Sequence, residues 1–155
     1  MEHHYNVDIT WNHDRMGIMC SPELVNEDCG CIEVATPPEF AKGIPGIWSP
    51  EHLFTAAVSS CLMTTFLAIA ENSKLEFVSF TCKSKGKLQS VDGKLVISEI
   101  ILEPHLMIKN ENDRPLAERI LQKSEAACLI SNSIKSKVVM KPIITVGEIV
   151  TNIFK

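Results

Sequence analysis

Two of the six cysteines stand where thiol chemistry is plausible. Cys61 lies inside a long uncharged stretch, and Cys128 follows Ala126-Ala127 near the end of an apolar-periodic segment. A thiolate is a strong nucleophile that passes through a sulfenic acid to a disulfide. Two thiols in reach can therefore form a redox pair, one attacking and one resolving. A free cysteine is equally an ordinary small hydrophobe of a core. Both readings stand on position alone. Neither residue belongs to a Cys-x-x-Cys, which argues against a thioredoxin-type site. Cys29-x-Cys31 together with Cys20 suggests zinc, but no fourth ligand follows at finger-like spacing. Cys20, Cys29 and Cys31 are read as strand or loop thiols, with no metal and no cofactor.

The element that must position Cys61 runs from Ser49 to Ala70. Ser49 suits an N-cap, Pro50 the first helical position, and Glu51 the positive end of the helix dipole. No Asp, Glu, Lys or Arg then occurs until Glu71. Apolar and small residues lie on every side, which predicts burial all round. The stretch is marginal in length for a membrane span and carries Thr55, Ser59, Ser60, Thr64 and Thr65. It is read as a core helix. One short-stranded sheet covers only one side of it. A homodimer would cover the rest, with two such helices packed together and strands wrapped outside.

The remaining elements follow from periodicity. Tyr5 to Trp11 alternates as a half-buried strand, and Met16 to Cys20 returns after a turn at Asn12-His13-Asp14. Asn26 to Gly30 is turn-like, and Cys31 to Ala35 is another strand. Thr36 to Trp48 holds three prolines and two glycines and is irregular. Phe77 to Leu88 and Leu95 to Met107 form a hairpin about Asp92-Gly93, interrupted near Pro104. Pro115 starts a second helix bearing Leu116, Ile120 and Leu121. Val138 to Val146 is a last strand, with Pro142 at an edge or bulge. The order implies one α+β domain over residues 1–155.

The totals exclude some functions. Net charge is −4 and pI about 5.7, so neither nucleic acid nor an anionic membrane is the expected partner. Met1-Glu2-His3-His4 does not begin a signal peptide. A reducing cytoplasm is expected, with cysteines mostly as thiols or working redox groups.

Three segments resemble one family. Ser49-Pro50-Glu51-His52-Leu53-Phe54-Thr55-Ala56-Ala57-Val58-Ser59-Ser60-Cys61 is similar to the helix signature of the osmotically inducible protein C and organic hydroperoxide resistance (OsmC/Ohr) proteins. Val7 to Gly17, with Arg15, is similar to their first strand, turn and arginine. Ala126-Ala127-Cys128-Leu129-Ile130-Ser131-Asn132-Ser133 is similar to their second cysteine motif, with Leu129 where the family usually has proline. The resemblance implies an OsmC-like intertwined homodimer and a thiol peroxidase acting on organic hydroperoxides. It assigns Cys61 as the peroxidatic thiol, Cys128 as the resolving one, Arg15 as the activator of Cys61, and Glu51 as the holder of Arg15. It implies a dithiol reductant such as a protein-bound lipoyl group. The alternative is a stress or binding dimer of this fold with little turnover, its thiols a sensor or core. Phe40, Ile44, Ile47, Trp48, Phe54 and Met63 are candidates for an apolar peroxide pocket or for core.

The chemistry suits these types. Lowering a thiol pKa from about 8.5 to about 6 raises the thiolate fraction at pH 7 from about 3% to about 90%. Nucleophilicity falls with pKa along a slope of about 0.4–0.5, which cancels most of that gain. Arg15 must therefore also stabilise the leaving alkoxide. Glu51 and Cys61 are ten residues apart, about 15 Å along a helix. Two antiparallel copies would bring Glu51 of one chain beside Cys61 of the other, so a site shared across the dimer is expected.

Overall fold

A computed structural model describes residues 1–24 and 30–148. They divide into an N-terminal unit, Met1–Leu53, and a second unit, Phe54–Lys155. Cys29 and most of the Asn26 to Gly30 turn lie outside the described residues.

The N-terminal unit is built on an antiparallel sheet of three strands, β1 (Asp8–His13), β2 (Met16–Cys20) and β3 (Cys31–Ala35), in that order. Asp14 takes a left-handed φ of 45° to turn β1 into β2, and Trp11 Nε1 braces the turn by donating to the Asp14 carbonyl at 3.2 Å. The register aligns Ile9 with Met19 and Ile32, so these three share one face. Alternation predicted a half-buried β1 starting at Tyr5. The strand starts at Asp8, and all six of its residues are exposed within the single chain. Trp11 is 73% exposed. The pattern records a face that the chain's own N-terminal unit does not cover.

The register also corrects the expectation of free thiols. Cys20 lies directly opposite Cys31 at a Cα separation of 4.1 Å, and the two form a disulfide. Strand pairing brought these sulfurs together across eleven residues of sequence.

Helix α1 (Pro50–Asn72) has the predicted start. The Ser49 Oγ accepts from the His52 N–H at 3.3 Å, as an N-cap should. His52 Nδ1 in turn accepts from the Ser49 N–H at 3.3 Å and lies 2.8 Å from Ser49 Oγ. This is the reciprocal logic of a capping box, with histidine in the usual Glu or Gln position.

In the second unit, Val58, Leu62, Phe66 and Ala70 recur every four residues along α1 and are fully buried. Each large apolar side chain so buried contributes about 1.5–3 kcal/mol. That stripe, more than intrinsic propensity, holds the helix in place. Burial all round is not observed: Ser60, Met63, Thr64 and Leu67 are exposed in the single chain. By length and composition alone α1 would also pass for a membrane span.

The stripe packs on a sheet centred on β5 (Lys94–Ile108), whose Ile100, Leu102, Leu106 and Ile108 are buried on one face. β4 (Phe77–Val91) pairs with it antiparallel through the Asp92-Gly93 turn. Both turn residues have positive φ, 51° and 75°, as a two-residue hairpin loop requires. Phe66 stacks on Phe80 at 4.8 Å between ring centroids. Helix α2 (Arg114–Ala127) covers the sheet with Ala117, Ile120 and Leu121.

Pro104 does not interrupt β5, and the last strand is two strands. β6 (Lys137–Met140) and β7 (Ile143–Val146) both pair with β5 in parallel. β6 stops opposite Leu102 and β7 resumes opposite His105. The break at Lys141-Pro142 therefore faces Glu103 and Pro104. A proline supplies no N–H to a ladder, and the ladder is broken beside the residue that lacks one. The result is an α+β fold, as expected.

Candidate functional site

The four candidate residues come together as two pairs. In the N-terminal unit, Arg15 and Glu51 line one pocket of about 210 Å³. Arg15 lies in the β1–β2 turn beside Asp14, and the Thr36 N–H donates to its carbonyl at 3.1 Å. Glu51 stands in the first turn of α1. The rest of the lining is mostly apolar and includes Val34, Ala35, Pro37 and Phe40. The pocket has room for an alkyl group beside the Arg15 side chain. Of the other expected pocket residues, Phe54 packs into the core with Val58 and Leu62, and Met63 is exposed. Trp48 makes an edge contact with His52 at 6.2 Å.

In the second unit, Cys61 and Cys128 are both buried, and each influences the ionisation of the other. Cys61 sits on α1 next to the Val58–Leu62 stripe. Cys128 caps the C-terminus of α2 in an extended conformation, φ −64° and ψ 110°, its N–H donating to the Glu125 carbonyl. The chain then turns through Leu129 and Ile130 into a 3₁₀ turn over Ser131–Ser133.

The two sulfurs are displaced in opposite directions. Burial is the largest influence on Cys61 and pushes its thiol up. Polar neighbours outweigh it: the Cys128 thiol first, then the Ile130 amide, the Thr65 hydroxyl and the Leu129 amide. The net effect holds Cys61 below the ordinary thiol value. Burial likewise raises Cys128, and its interaction with Cys61 raises it further, with partial relief from Ser131. Of the two thiols, Cys61 is the more readily ionised and Cys128 the more readily kept protonated. Such an arrangement poises one sulfur to attack and the other to follow.

The sequence singled out both cysteines but missed the donors. Thr65 lies one turn beyond Cys61, with 4.0 Å between Oγ1 and Sγ, and i,i+4 spacing was the available signal. The amides of residues 129 and 130 carry no side-chain signature. A third thiol, Cys82 on β4, is half-buried and lies 3.5 Å from Ser84 Oγ, which donates to Ser59 Oγ on α1 at 2.7 Å. Among the described residues, no three His, Cys, Asp or Glu side chains gather as metal ligands.

Comparison with known proteins agrees with this architecture. The model of the OsmC-like protein family matches residues 43–142. An uncharacterized protein of Bacillus subtilis, YmaD, is 25% identical over 142 residues, spanning 88% of this chain and 90% of the relative. Among solved structures, an OsmC-like protein of unknown function from Vibrio cholerae has a TM-score of 0.80 at 21% identity, over 92% of this chain and 100% of that one. An organic hydroperoxide resistance protein, OsmC, from Legionella pneumophila has a TM-score of 0.69 at 22% identity, over 92% and 97% of the two chains. At such identities the structural matches establish the fold.

Proposed function

The chain belongs to the OsmC-like protein family, and on that footing we propose that it is a cytoplasmic, homodimeric thiol peroxidase that reduces organic hydroperoxides to alcohols. One observation carries the reading: two buried cysteines that interact, with the Cys61 thiol pushed down and the Cys128 thiol pushed up. The naming of the Legionella relative for organic hydroperoxide resistance supports the substrate class.

In this mechanism the Cys61 thiolate attacks the distal oxygen of the peroxide. An S–O bond forms, the O–O bond breaks, and the electron pair leaves on an alkoxide that is protonated to the alcohol. Arg15 stabilises that developing charge, and Glu51 holds Arg15. The Cys128 sulfur then attacks the sulfenic sulfur of Cys61. The S–S bond forms, and hydroxide leaves with the Cys128 proton as water. A dithiol, such as a protein-bound lipoyl group, returns two electrons by disulfide exchange. No membrane and no nucleic acid enter the scheme.

The dimer is part of the proposal. Ile9, Trp11, Met63 and Leu67 leave large apolar surface exposed on a single chain, which a second copy would cover. Antiparallel packing of two α1 helices sets the partner subunit's Glu51 beside Cys61, so that each site draws on both chains.

The test treats reduced protein with one equivalent of cumene hydroperoxide and maps disulfides by peptide mass. A new Cys61–Cys128 bond, absent in Cys61→Ser, is expected. Unchanged thiols would leave the sensor or structural reading in its place. Mixed dimers with Cys61→Ser in one subunit and Glu51→Ala in the other should regain activity at one site per dimer. Activity no better than either homodimeric mutant would count against sharing.

A further inference from the structure

We propose that Ser131 is a positioning residue for the resolving thiol: its N–H holds the Cys128 sulfur, and its buried hydroxyl is the donor that meets the negative charge when Cys128 attacks Cys61. The proposal rests on the peroxidase reading only in taking Cys128 as the sulfur that closes the disulfide.

The turn after α2 is built around that sulfur. The Asn132 N–H donates to the Cys128 carbonyl at 3.1 Å, and the Ser133 N–H to the Ile130 carbonyl at 3.0 Å. The Ser131 N–H goes to the Cys128 Sγ at 3.5 Å. The next two side chains brace the same turn. Asn132 Nδ2 donates to the Ala126 carbonyl at 3.0 Å, and Ser133 Oγ to the Leu129 carbonyl at 2.7 Å. Ser131 is the exception. Its Oγ is buried and, among the described residues, has no hydrogen-bond partner.

An unmatched buried hydroxyl costs stability, and alanine would remove that cost. Bracing of the turn therefore does not account for a serine here. Its place beside the sulfur does. Rotation about one side-chain bond moves the hydroxyl around an N–H that already lies on Cys128 Sγ. A thiol is a weak acceptor and gives that hydroxyl little to bond. A thiolate is charged, and hydrogen bonds to charged groups are the stronger ones. The hydroxyl thus gains its partner as Cys128 loses its proton. The titratable group acting on Cys128 is Cys61, across on α1; it opposes this ionisation, as burial does, and Ser131 works against both. Once Cys61 is oxidised its charge is gone, and burial is the obstacle that remains.

The experiment times the second step without peroxide. One equivalent of methyl methanethiosulfonate is added to reduced protein. The Cys61 thiolate attacks the methylthio sulfur, an S–S bond forms, and methanesulfinate leaves. The Cys128 thiolate then attacks the Cys61 sulfur, and methanethiolate leaves as the Cys61–Cys128 bond forms. Acid quenching and peptide mass spectrometry follow the loss of the methylthio group from the Cys61 peptide. Ser131→Ala keeps the N–H and deletes the hydroxyl. It should slow this step about three- to tenfold at pH 7 and converge on the wild-type rate above the Cys128 midpoint. Its Tm should equal or exceed that of the wild type. An unchanged rate at pH 7, the same slowing at every pH, or slowing with a lower Tm overturns the proposal. Slower closure in the variant, with no hydroperoxide turnover by the wild type, would sink the peroxidase reading and keep the role of Ser131. Turnover with an unaffected second step would do the reverse.

Discussion

The interaction between Cys61 and Cys128, both buried, pushes the thiol of the first down and the thiol of the second up. It makes the two cysteines unequal although both are buried. A depressed thiol is charged above its midpoint and loses that charge as pH falls through it. Single-turnover oxidation of Cys61 by t-butyl hydroperoxide should therefore rise with pH to a plateau, with its midpoint below the usual thiol value of about 8.5. A midpoint at or above that value would contradict the assignment. Cys128→Ala removes this neighbour and should raise the midpoint. It should also replace the disulfide by a sulfenic acid that dimedone traps.

The Thr65 hydroxyl lies 4.0 Å from the same sulfur and can donate to its thiolate. A bond this long to sulfur is weak, and a small effect follows. Thr65→Val keeps the shape and deletes the hydroxyl. It should slow Cys61 oxidation below the midpoint by about two- to fivefold, about 0.4–1 kcal/mol. Thr65→Ser should restore the rate. Equal rates in all three proteins would show that the hydroxyl does not reach the thiolate.

What the sequence discloses about this site depends on where the information sits. Ser49, Pro50 and Glu51 are local signals, and α1 starts where they place it. Asp92-Gly93 is a local signal too, and the hairpin turns there. Pro104 misleads because its tolerance depends on a gap between two strands more than thirty residues later. The Cys20–Cys31 disulfide is set by the register of two strands, which the residue types around it do not reveal. The alternation of β1 and the apolar far side of α1 predicted burial, but both are exposed in the single chain. The amides that help to hold the Cys61 thiol down belong to the path of the backbone and leave no trace in composition.

Gly86 and Thr55 mark a tight contact between β4 and α1. A Cβ built on Gly86 would overlap the Thr55 hydroxyl. Glycine weakens a strand interior, so alanine should stabilise β4 if space were free. Gly86→Ala should instead lower stability by about 1–3 kcal/mol in urea unfolding. Combining it with Thr55→Ala should recover at least half of the loss, and the double-mutant cycle should show coupling. Simple additivity would mean that the contact is not the cause.

Ser49 and His52 close the start of α1 by bonding each other's N–H groups. That cap fixes the first turn, where Glu51 faces the Arg15 pocket. Ser49→Ala should cost about 1 kcal/mol of stability. His52→Ala should cost a comparable amount, because it removes the reciprocal acceptor. The double mutant should lose less than the two single losses combined. Independent losses would argue that the two residues cap separately.

Cys20 and Cys31 close a short loop between β2 and β3, eleven residues apart in sequence. On the chain-entropy account, a loop of this length gives about 3 kcal/mol of stabilisation, by restricting the unfolded chain. Thermal melts of oxidised protein should therefore show a higher Tm than melts in dithiothreitol. The Cys20→Ser/Cys31→Ser variant should melt near the reduced value and should not respond to dithiothreitol. If the variant still gains stability on oxidation, another pair of cysteines is responsible. If the wild type does not respond, the cross-link contributes no net constraint. The same variant also leaves Cys61 and Cys128 intact, so it separates the structural disulfide from the reacting one. Its peroxide consumption at a temperature below both melting points should match that of the wild type.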